Sequence, residues 1–311
     1  LARIKNFDSE LQRIRDLFGQ MRNEMQPFMQ TLHRSAEDAV LPDEEELARE
    51  EARLGAEISQ RRQAETALAR LVYELSRQIS RRKVEFEERE QPNRIDRMIG
   101  FVSRSAMKRR LEARASSPSL LLHLEELLRR GDSLTGMIRS ERDLLVLERR
   151  RSESGLVTFI DHRPEIIQAL RGENLNGLTM VDATARVQRA ASIFDRLIGE
   201  INHRIGTCNV MLHKLSADME DVLILYQVVF EASRRDGSVP LAIDRFPSLA
   251  RETERYSRGM LTIHGLDVRR ERTDQSFAAH FPTVVPVEAA ASSEGRKSSH
   301  WRLPRLRLAR P

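Results

Sequence analysis

The stretch "IGEINHRIGTCNVMLHKL" holds Glu200, His203, His213 and Cys208, the only cysteine of the chain. These are the side chains that metals and redox couples use. Glu200 and His203 stand three apart, the spacing by which one helix offers a carboxylate and an imidazole to a shared metal, as in di-iron bundles. That chemistry also needs a second Glu-x-x-His and two more inward carboxylates, and the sequence has no second copy. A single cysteine can form neither an internal disulfide nor a cysteine zinc cluster. On an apolar helix stripe it acts as a small hydrophobe.

Two other clusters invite the same question. "IDHRPE" gathers Asp161, His162 and Arg163, but no nucleophile accompanies them, and Pro164 explains the stretch as a helix start. The run Asp43–Glu46 lacks the oxygen-ligand spacing of a calcium loop. It suits the positive end of a helix dipole. Phosphate-binding loops, zincin motifs, nucleophile elbows and C-x-x-C pairs are all missing from the sequence. No catalytic residue, cofactor or metal is therefore assigned, and the expectation is a protein that is not an enzyme.

The sharpest candidate contact is the tail "RKSSHWRLPRLRLARP", with Arg296, Lys297, Trp301, Arg302, Arg305, Arg307 and Arg310. Residues 291–311 hold six basic side chains against Glu294, so the chain's net charge of +5 resides there. The rest carries 46 basic and 46 acidic side chains and disfavours a broad nucleic-acid face. Near an anionic lipid surface each arginine contributes about 1 kcal/mol, and Trp301 suits the interface. An acidic protein groove would meet the same residues. A second basic knot, "MKRRLEAR" (Met107–Arg114), reads as a solvated helix face packed through Met107 and Leu111.

The elements that must carry these residues are helices. Charged residues make up 32% of the chain and aromatics only 5%, which favours long helices with narrow stripes over a wide core. Ile4, Phe7, Leu11, Ile14, Phe18, Met21, Met25, Phe28 and Leu32 step by three and four, the a/d repeat of a coiled coil. A kink is expected near Pro27. A second helix starts at Pro42 and ends at "QPN" (Gln91–Asn93), and a third spans Arg94–Ala115. Another begins at Leu120 and is closed by "SESG", with a bend expected near Gly131.

From Met180 to Val229 one heptad frame runs unbroken by proline. Its d positions include Val187, Phe194, Ile201, Cys208, Leu215, Val222 and Val229. Its a positions include Ile198, Ile205, Leu212, Met219 and Tyr226. These twelve residues are the candidate seam, which puts Cys208 in the core and Glu200, His203 and His213 outside. The run "VLILYQVVF" (Val222–Phe230) is apolar all round and is expected to be enclosed by several neighbours.

The sequence thus predicts an all-α protein: long antiparallel helical hairpins and coiled coil in an elongated bundle, with a disordered basic C-terminal tail. The divisions are 1–155 (long helices), 156–179 (irregular linker with a short helix at Pro164–Arg171), 180–236 (coiled-coil helix), 237–272 (short helical segment) and 273–311 (tail). The long seam has apolar length to spare, so self-association as a dimer is expected. The functional expectation is a cytoplasmic scaffold that binds itself and a protein partner. The alternative is a peripheral membrane protein held to anionic lipid by its tail; a nucleic-acid-associated factor ranks below both. With Leu1 first and a heptad already under way at Ile4, a preceding segment is expected.

Overall fold

A computed structural model describes residues 7–38, 41, 44–115, 118–173, 180–233, 246–251 and 263–285. The chain is all-α, built of long helices packed against one another, with no strand among the described residues. In chain order the helices are α1 (Phe7–Glu37), α2 (Glu44–Glu90), α3 (Arg94–Val102) and α4 (Arg104–Ala115). They continue as α5 (Pro118–Asp161), α6 (Arg163–Glu173), α7 (Met180–Ser233) and α8 (Ile263–His280). A helical turn occupies 247–251. Among the described residues no helix is long and apolar enough to cross a membrane.

The chain divides into two compact units, and α2, α5 and α7 each contribute a segment to both. The first unit comprises Leu1–Leu71 and Leu134–Leu212. In it α1 buries Phe7, Leu11, Ile14, Phe18 and Met21, as the 3–4 repeat requires. The helix continues past Pro27 to Glu37; Ile4 and the side chains of Met25, Phe28 and Leu32 lie outside the described residues. The pairs Glu51–Arg189, Arg62–Glu200 and Glu65–Arg204 advance together, so α2 and α7 run parallel here. Glu141–Arg204 and the Phe159–Phe194 ring pair, 5.9 Å between centroids, advance oppositely, so α5 is antiparallel to α7. The expected hairpins are thus joined by a parallel pair.

The second unit comprises Val72–Ser133 and His213–Pro311. Here α8 is antiparallel to α7, pinned by Arg269–Glu220 at 2.7 Å, Arg270–Asp221 at 2.5 Å and Lys214–Asp274 at 2.6 Å. The Asp132 carboxylate of α5 accepts the N–H groups of Ser248 and Leu249, capping the turn at 247–251.

Three boundaries differ from the sequence reading. "SESG" does not end α5, which continues to Asp161. Ser152 is buried and its hydroxyl donates to the Glu148 carbonyl one turn back, while Phe159 finds Phe194 beyond it. Local turn chemistry thus yields to packing. The linker assigned to 156–179 is helical as far as Glu173, broken only at His162, and α6 brackets the expected short helix. The tail boundary at Thr273 falls inside α8, where Phe277 is buried, and Phe281 and Val284 just beyond the helix are buried too.

Helix Arg94–Ala115, expected whole, is split. Ser103 takes an extended backbone (φ −153°, ψ 110°), its N–H ends α3 on the Ile99 carbonyl, and its hydroxyl accepts the Ala106 N–H of α4. Serine favours such caps over helix interiors.

Candidate interaction seam and buried charged layers

On α7 every described d position of the seam is buried: Val187, Phe194, Ile201, Cys208, Leu215, Val222 and Val229. The a positions behave differently. Leu212 and Met219 are buried, but Ile198, Ile205 and Tyr226 are only half-buried. The second buried row is instead one step earlier in the heptad: Ala183, Ala190, Leu197, Arg204, Met211, Asp218 and Leu225. Together the rows make an unbroken 3–4 stripe with two charged residues inside it. An apolar count passes over Arg204 and Asp218, and so favours the wrong partner row for the d positions.

Arg204, in the first unit, is 2% exposed. Its Nε donates to Glu65 Oε1 of α2 at 2.9 Å and its Nη2 to Glu141 Oε1 of α5 at 2.8 Å. Arg22 of α1 then donates to Glu141 Oε2 at 2.8 Å. One guanidinium thus ties α7 to two helices, and the shared carboxylate ties in a third. Burial would lower the Arg204 pKa, but Glu65 and Glu141 outweigh it and hold it above the ordinary value. Burial pushes the Glu65 carboxyl up despite Arg204. Arg61, buried nearby beside Glu57, is pulled down by desolvation and then by Arg204. Arg204 Nη1 is buried without a hydrogen-bond partner.

The second unit repeats the device with lysine. Lys214 Nζ lies 2.7 Å from Asp218 Oδ1, one turn along α7, and 2.6 Å from Asp274 Oδ1 of α8. Burial opposes the ammonium, yet the two carboxylates hold its pKa above the ordinary lysine value. Every residue from Lys214 to Glu220 is buried. All-round enclosure therefore falls on this mixed polar stretch, not on Val222–Phe230, where Leu223, Ile224 and Tyr226 are half-buried. Charges paired across α7 and α8 make the polar positions buriable.

The residues that suggested metal chemistry are dispersed. Cys208 is buried, and its thiol is pushed up to about 12 by desolvation and then by Glu65. His203 and His213 are exposed, and Glu200 is half-buried against Arg62 at 3.2 Å. Among the described residues no three His, Cys, Asp or Glu side chains gather as metal ligands. Glu200 instead lines an open groove of about 770 Å³ between α2 and α7, with Arg62, Arg70 and Arg196. The tail candidates Arg296 to Arg310 lie outside the described residues. Comparison of the chain with protein-family models, curated proteins and solved structures returns no match.

Proposed function

We propose that the chain is a non-enzymatic assembly protein: a helical scaffold that dimerises and presents its outer faces to a protein partner. The observations that carry this reading are two departures from the usual partition. Charged groups such as Arg204, Glu65 and Lys214 are inside. On the outer face of α5, Leu147, Val157 and Ile160 are each more than half exposed. Buried charges paired across helices fix the register of a coiled coil at a cost in stability, which serves a scaffold whose faces must keep their spacing. Single exposed aliphatic residues are ordinary, but several along one helix face supply the apolar centre that an interface needs. Arg150, Arg151 and Glu153 between them are exposed and offer charges of both signs to a second copy turned the other way.

Nine of the twelve seam residues are already buried within the chain, so the proposed dimer uses α5 and not the seam. Its test is light scattering on the full chain at micromolar concentration, beside the Leu147→Arg/Val157→Arg variant. Two chains per particle, reduced to one by the variant, support the reading; a single chain for the unmodified protein overturns it. A cytoplasmic location belongs to the same proposal. The second reading, attachment to anionic lipid, rests on the arginines and Trp301 of the tail. Vesicle binding that depends on those residues would favour it.

A further inference from the structure

The segment 91–115 holds seven basic side chains against Asp96 and Glu112, a local charge of +5 equal to that of the tail. The chain outside the tail, neutral as a whole, is therefore strongly polarised. The knot in α4 that reads as a solvated face is one arm of a cationic hairpin.

Its geometry is set by internal polar contacts. Asn93 and Asp96 form a capping box at the start of α3, with Asn93 Oδ1 accepting the Asp96 N–H at 2.8 Å and Asp96 Oδ2 accepting the Asn93 N–H at 2.9 Å. Asp96 is fully buried, and its Oδ1 lies 3.2 Å from Arg110 Nε of α4. The one acidic residue of α3 is thus turned inward and consumed by the hairpin. Gly100 faces α4 on the same side: a Cβ there would lie 2.6 Å from Met107 Sδ. Asp96 and Gly100, four apart, mark the packed face of α3.

The other face carries Ile95, Met98 and Phe101, exposed to 54%, 70% and 93%, beside the exposed Arg97. Phe101 stands two residues before the single-residue corner at Ser103, and the exposed Arg104 opens the next helix. An almost naked Phe ring at a convex corner, flanked by arginines and by no exposed carboxylate of its own helix, fits an anionic lipid interface. Rings and aliphatic side chains enter the acyl boundary there while guanidinium groups meet phosphates. A second copy of the hairpin fits worse, since it would bring two charges of +5 together.

We infer that the α3–α4 hairpin is a membrane-docking corner, seating Ile95, Met98 and Phe101 in an anionic bilayer surface with Arg97 and Arg104 on its headgroups. The inference depends neither on the tail nor on dimerisation. Its test exploits the single tryptophan, Trp301. In the full chain carrying Trp301→Phe and Phe101→Trp, fluorescence is followed on vesicles of phosphatidylserine and phosphatidylcholine, with and without spin-labelled acyl chains. The expected result is an emission blue shift on these vesicles, quenching by the shallow label and no response to pure phosphatidylcholine. Replacing Met98 and Ile95 by Gln in that chain should weaken the response at least about tenfold, with the helical circular dichroism unchanged. Water-like emission from vesicle-bound protein would overturn the inference, because the tail alone would then be the anchor. Emission already blue-shifted without lipid would overturn it too, since the corner would be covered by protein.

Discussion

Arg204→Ala removes the cation that holds α7 to α2 and α5 in the first unit. It leaves Glu65 buried without its guanidinium, while Glu141 keeps Arg22. Breaking a buried pair by deleting one partner costs about 3–5 kcal/mol, because the remaining charge is stranded. An exposed pair of the same geometry would cost about 0.2–1 kcal/mol. The two regimes are well separated, and Arg204 at 2% exposure belongs to the first. Urea unfolding followed by circular dichroism at the helical minimum reads the difference directly. The triple replacement Arg204→Met, Glu65→Leu and Glu141→Leu should by contrast be near neutral, or stabilising by about 1–4 kcal/mol, since no charge is stranded. A loss below about 1 kcal/mol for Arg204→Ala would refute the reasoning, because the layer would then behave as a solvated surface pair.

Cys208, with its thiol pushed up to about 12, should react with a disulfide reagent in mildly alkaline buffer only as fast as the helices open. Native labelling much slower than in urea is the expected result, and equal rates contradict it. Gly131→Ala would set a Cβ 2.1 Å from the Sδ of buried Met219, and overpacking of this kind costs about 1–3 kcal/mol. Gly199→Ala meets nothing within 4 Å and should gain up to about 1 kcal/mol of helix propensity; thermal melts rank the two. Glu65 has its pKa raised by burial, so the folded chain binds its proton more tightly than the unfolded chain does. Its contribution therefore falls as pH rises from the ordinary value of 4.5 through the raised one. Stability measured across that window should decline less in Glu65→Gln, and an unchanged slope would contradict the assignment.

Much of the fold was legible because one signal, the 3–4 spacing of apolar residues, dominates it. The d row from Val187 to Val229, the core place of Cys208 and the break at Gln91–Asn93 all follow from residue type and spacing. What the same signal hides is any charged residue on the stripe. Arg204 and Asp218 sit in register with Leu197, Met211 and Leu225, and only continuity of the repeat through charged positions would have found them. The partners that make their burial tolerable are Glu65 and Glu141 for one and Lys214 for the other. Glu65 and Glu141 are distant from Arg204 in sequence. Boundaries failed where local chemistry and packing disagree. Ser152 and Gly155 look like a helix stop but are buried in the stretch that leads to the Phe159–Phe194 contact, whereas Ser103, in a sequence that reads as helical, is a real cap. The exposed face of α3 was hidden because its apolar residues looked like core positions until Asp96 and Gly100 were seen to occupy the packed side.

The proposed assembly role depends on aliphatic side chains left outside a chain that pairs its charges within. Its most direct test is the mass of the particle in solution, measured by light scattering on the full chain at micromolar concentration. The predicted result is twice the 35.9 kDa chain mass, falling to one chain when Leu147→Arg and Val157→Arg place like charges on the outer face of α5. A particle of one chain, or a dimer indifferent to both arginines, would contradict it.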